Sequence, residues 1–146
     1  VPEGAGMSNF SDVLDGLETA LKNGITGLQV YKGGPDDVKS FPAAILLPEP
    51  FDPRLAFGGN SWEGEIRIIL LISSGKDENG WAQLWDYIDP TTVTKSVIKA
   101  IEDDRDLDAK VDDSEITRIE NIGRREIGGG FQFGFDALLH YIKSVG

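Results

Sequence analysis

Phe131-Gln-Phe-Gly-Phe-Asp-Ala-Leu-Leu-His-Tyr-Ile-Lys143 is the stretch that decides the fold. Phe131, Phe133, Phe135, Ala137, Leu139 and Tyr141 fall on alternate positions, which is the side-chain period of a strand with one buried face. Gly128-Gly-Gly130 immediately precedes it. Those glycines tolerate φ > 0 and are read as a hairpin turn. They join the strand to an earlier extended segment that carries Arg118, Arg124 and Arg125.

Working back along the chain, Trp62 to Ser73 reads as a second long strand. Trp62, Gly64, Ile66, Ile68, Leu70 and Ile72 share one face. Glu63, Glu65 and Arg67 begin the other face, which turns apolar at Ile69 and Leu71, so one end of this strand is expected to be covered on both sides. Phe41 to Leu47 is a buried strand opened by proline, and Leu28 to Tyr31 is a short strand. Lys32 to Asp37 between them is a turn. Near the start, Val13, Leu14, Leu17, Ala20 and Leu21 form a helical stripe behind a Ser11 cap, stopped at Asn23-Gly24. Asp77-Glu78-Asn79 caps a helix over 80–87, with Trp81, Leu84, Trp85 and Ile88 packing into the core, and Asp89-Pro90 breaks it. A third helix over 92–102 is expected to bury Val93, Val97, Ala100 and Ile101. The order α-β-β-β-α-α-β-β predicts an α+β fold, an antiparallel sheet with helices packed on it. Residues 7–146 read as a single domain. Residues 1–6 read as a cloning or cleavage remnant, with Met7 the natural start.

The composition narrows the chemistry. The chain has 146 residues, 40% hydrophobic and 27% charged, and its longest apolar run, Ile68 to Ile72, is strand-sized. A membrane-spanning helix needs ~20 apolar residues, so no membrane partner is expected. There is no cysteine and one histidine, His140, which leaves no thiolate chemistry and little basis for a zinc site or a Ser-His triad. His140 alternates away from the aromatic face and reads as an exposed strand residue. Asp36-Asp37 lies in a Gly-Pro turn without a partner base, and the turn accounts for it. No cofactor pattern is present, and the chain reads as a non-enzyme. Its net charge of −11 opposes tight binding of DNA phosphates, which rests on clustered cations. An acidic surface would instead suit a passage through which DNA slides without sticking.

Three stretches suggest contacts. Pro48 to Ser61 holds Phe51, Leu55 and Phe57 among prolines and glycines, an irregular segment of a length that is commonly functional. Arg118, Arg124 and Arg125 make the late hairpin locally basic, which suits charge pairing with the acidic 102–115 loop of a neighbouring subunit. Within that loop, Asp104, Asp106, Asp108, Asp112 and Glu115 stand at the oxygen-ligand spacing of an EF-hand loop. Ala109 occupies the sixth position, where the tight turn calls for glycine, which argues against calcium. A calcium- or ligand-binding module using 104–115 is the alternative from another class.

The first helix, the strand at Phe41-Pro42 and the long Trp62–Ser73 strand come in a telling order. Trp81…Tyr87-Ile-Asp-Pro90…Ser96-Val-Ile-Lys-Ala-Ile101 follows, then the Gly-Gly-Gly-Phe hairpin with its aromatic closing strand. Over residues 8–144 this resembles the tail terminator and tail completion proteins of long-tailed, double-stranded-DNA bacteriophages. The resemblance implies a subunit of a hexameric ring in the virion, made in the host cytoplasm. That ring caps the tail tube, contacts the tube protein and the head–tail connector protein, and lets DNA pass through its lumen. A neck or head-closure protein is the nearest alternative.

Overall fold

The computed structural model describes residues 10–34, 38, 40–50, 61–76, 78–127 and 130–144. The order is α1 (Phe10–Gly24), β1 (Gln29–Lys32), β2 (Ala43–Pro48), β3 (Ser61–Ser74), α2 (Gly80–Ile88), α3 (Val97–Glu102), β4 (Asp113–Ile127) and β5 (Gly130–Ser144). This is the expected α+β fold, with the elements in the expected order.

Five strands form one sheet in the order β1-β2-β3-β5-β4. The sheet is mixed rather than wholly antiparallel, because β1 pairs with β2 in parallel, Gln29 opposite Ala43. The other three pairings are antiparallel. The last strand lies inside the sheet, flanked by the two longest others. β5 is buried on both faces along much of its length, where alternation alone predicted one. Phe133, Phe135, Ala137, Leu139 and Tyr141 point toward the helices, while Gln132, Asp136 and Leu138 are also buried.

α1 presents Val13, Gly16, Leu17, Ala20 and Leu21 to the core. Asp12 in its first turn and Lys22 in its last complement the helix dipole. Leu17 and Leu21 are fully buried, each contributing roughly 2 kcal/mol by area removed from water. Ile66, Ile68, Leu70 and Ile72 of β3 complete this main core. On the opposite face, Ile69 and Leu71 pack with Ile45 beneath Tyr31, Val38, Phe41 and Leu47. One end of β3 is therefore covered on both sides, as its apolar turn at Ile69 indicated.

Two helices depart from expectation. α3 begins at Val97, not near Thr92, and residues 92–96 form turns. Thr92, Val93 and Thr94 are β-branched and poor helix formers, whereas Ser96 is a working cap whose Oγ accepts the Lys99 amide at 3.1 Å. Val93 is consequently 65% exposed. α2 buries Gly80, Leu84 and Tyr87, one stripe of its surface. Trp81 and Trp85 lie beside that stripe and are about half exposed, not core residues. No helix among the described residues is long and apolar enough to cross a membrane.

Candidate interaction surface

The sequence put three arginines on the late hairpin, and the structure separates their roles. Arg125 reaches across β5 to Asp136. Asp136 is 2% exposed. It also accepts from Arg67 Nη1 at 2.7 Å and from Asn121 Nδ2 at 2.8 Å. Arg67 in turn holds Glu120 at 2.7 Å and Glu49 at 2.9 Å. The carboxylates of Glu49, then Glu120 and Asp136, push the Arg67 guanidinium further above its ordinary value. Four segments, β3, β4, β5 and Glu49 just after β2, are thus tied by one ionic network on the face away from the helices. Such a buried carboxylate is held by specific donors because leaving it unpaired would be costly.

Arg118 is 70% exposed and lies 3.4 Å from Glu120 on its own strand. At that exposure the pair contributes little to stability. Arg124 has no ion pair among the described residues. Its guanidinium sits 5.1 Å from the centroid of Phe131, a cation–π contact. Phe131 was expected to be buried and is instead 54% exposed.

Phe131 and Arg124 form one side of a cleft of about 580 Å³, with Phe41, Ser74, Gly75, Lys76, Gly130 and Gln132 completing it. Its charged lining residues are Lys76 and Arg124, and neither has a carboxylate partner among the described residues. Ile127 pairs with Gly130, so β4 and β5 close as a hairpin here. Residues 128 and 129, the rest of the glycine turn, lie outside the described residues. So do Asp36 and Asp37, and so do Phe51, Leu55 and Phe57 of the expected contact loop.

A second exposed apolar area lies on the helix side. Trp81 packs edge-on against Phe133, with ring centroids 5.7 Å apart, and covers Gly123. Trp85 and Val93 add exposed apolar surface from α2 and the turn after it, and Ile122 adds more from β4. The signal that could have found this area was the i, i+4 spacing of the tryptophans, which puts both on one flank of a short helix.

The acidic loop lies at the other end of the hairpin. Leu107, Asp108 and Ala109 adopt φ of 49, 57 and 65°. Ala109 therefore takes the left-handed conformation expected only of glycine, and the missing glycine is not what decides the loop's chemistry. Three successive left-handed residues are strained at roughly 1 kcal/mol or more each. Local bonds hold them. Asp104 Oδ1 accepts the Asp108 amide at 3.0 Å, Asp106 Oδ1 accepts the Ala109 amide at 3.2 Å, and the Ser114 hydroxyl donates to the Arg105 carbonyl at 2.7 Å. Leu107 is fully buried, and its carbonyl lies against Gly16 of α1, where an added Cβ would stand 2.1 Å away.

Two carboxylates that a calcium ion would need are thus turned onto the loop's own amides, and Arg105 pairs with Asp113 through Nε at 2.7 Å. That pair lowers the Asp113 carboxyl. Burial, and then the neighbouring Asp106 and Asp108, holds the Asp104 carboxyl above its ordinary range, against the pull of the Asp108 amide. Among the described residues no three His, Asp or Glu side chains gather as a metal cage. His140 is partly exposed, with Nε2 3.5 Å from Glu63 Oε2.

Compared with known proteins, the chain matches no family model and no curated sequence.

Proposed function

We propose that this chain is a virion structural protein, a tail terminator subunit of a long-tailed bacteriophage. In that role it forms a ring on the tail tube, ends tube polymerisation and joins the tail to the head connector. The observation that carries this reading is the ordered likeness over residues 8–144, from the first amphipathic helix to the glycine hairpin and its aromatic strand. The α+β fold has its elements in the order read from the sequence. Exposed Trp81, Trp85 and Phe131 supply apolar area for protein contacts. The acidic excess suits a lumen that DNA crosses without being held.

The test is loss of the protein from the phage that carries it. Expected are detached heads and tail tubes longer than normal, with capping restored by the purified chain. Tubes of normal length joined to heads would reject the reading, and tubes of normal length left unjoined would favour a neck or head-closure role. In a mobility-shift assay at physiological salt the isolated chain is expected to leave duplex DNA unshifted; salt-sensitive retention would count against passive passage.

A further inference from the structure

The long β4–β5 hairpin separates two regions of opposite charge. At one end is the cleft lined by Lys76, Arg124, Phe41 and Phe131, whose two cations are unpaired among the described residues of a chain carrying −11 overall. At the other end, eight carboxylates stand against three cations between Lys99 and Glu115. Glu102, Asp103, Asp106, Asp108, Asp112 and Glu115 there are exposed. Asp113 and Arg124 both lie on β4, so the two ends are roughly 35 Å apart at ~3.3 Å per strand residue. One molecule cannot bring them together.

We propose that the cleft receives the acidic end of a second copy of this chain. The cleft and the acidic end are different surfaces, so the contact is heterologous, head to tail. Repeated contacts of that kind generate a closed ring or an open filament. The exposed ring of Phe131, already covered by Arg124 on one side, offers apolar area at the cleft, while Lys76 and Arg124 meet carboxylates of the neighbour. Complementary charge of this sort fixes partner and register and raises the association rate. The inference deepens the ring reading above and rests on it only for the closure of successive contacts. It also revises the expected charge pairing: Arg124 stays, Lys76 joins it from the cleft, and Arg125 drops out because it is committed to Asp136.

Two double charge reversals test it by sedimentation at low salt. Lys76→Glu with Arg124→Glu makes the cleft acidic. Glu102→Lys with Glu115→Lys makes the other end less acidic, at two exposed positions. The wild-type chain is expected to self-associate at high concentration, and added salt should weaken it. Each variant alone should associate at least about tenfold more weakly. An equimolar mixture of the two variants should regain association, because each then presents what the other needs. Circular dichroism of each variant keeps misfolding apart from lost contact. A wild-type chain that stays monomeric at millimolar concentration would overturn the proposal. So would variants that associate like the wild type, or a folded mixture that stays monomeric. Variants that still cap tail tubes would remove the cleft contact and leave the ring reading standing; association through the cleft without capping would do the reverse.

Discussion

Asp136 is the residue on which the outer face of the sheet turns. It is 2% exposed and binds Arg67, Arg125 and Asn121. Asp136→Asn would remove the charge and leave two guanidinium groups facing a neutral amide. Breaking a buried pair costs about 3–5 kcal/mol, but Arg67 keeps Glu49 and Glu120. A loss of about 3 kcal/mol in urea unfolding is therefore expected, and a loss under ~1 kcal/mol would show the network to be solvent-like. Tyr141 gives a second test. Burial pushes its phenol up to about 12 from 10.0, and Gly64 opposite it leaves room for the hydroxyl. Below pH 10 both states hold the proton and stability is complete. Between pH 10 and about 12 the unfolded chain loses it while the folded chain keeps it, so stability falls as pH rises. Tyr141→Phe should flatten that alkaline decline; an unchanged slope would mean that the phenol ionises in the folded state.

Among the elements, legibility followed the number of faces a segment buries. α1 buries one clear stripe, and β3 buries one stripe along its length with a second only at Ile69 and Leu71, so period placed both. β5 kept its alternation, but its place between β3 and β4 was invisible because register depends on partners distant in sequence. For the same reason the sequence alone does not single out Asp136 as the partner of Arg67 and Arg125, which lie on the two strands that flank it. α2 failed differently. Trp81, Leu84, Trp85 and Ile88 suggested a buried helix, yet Gly80 packs so tightly on Phe133 that an added Cβ would lie 2.1 Å from the ring. That contact sets the helix's rotation and leaves both tryptophans on its flank. The basic cleft was half legible: Arg124 stood out, but Lys76 and Phe41 join it only through the fold. α1 offers a test where propensity and packing disagree. Gly16→Ala should add roughly 1 kcal/mol of helix stability by propensity. The new Cβ would instead stand 2.1 Å from the Leu107 carbonyl. Overpacking of that kind costs about 1–3 kcal/mol and the strained loop cannot easily yield, so net destabilisation is expected in thermal melts. A raised melting temperature would mean that the loop moves freely.

For the molecule as a whole, the strand order has a consequence for biosynthesis. β3 and β4 do not touch each other as neighbours; both hydrogen-bond to β5, which is made after them. Ser61 pairs with Ser144. The ribosome must therefore release almost all of the described chain before the place between β3 and β4 can be filled. Until then, two long strands wait with open edges, a state prone to wrong pairing. Contacts between segments so far apart in sequence also form slowly. A nascent chain halted before residue 131 should be readily cut by protease, and one extended past residue 144 far enough to clear the exit tunnel should be resistant. Resistance in the shorter chain would show that β1 to β4 find a stable arrangement of their own.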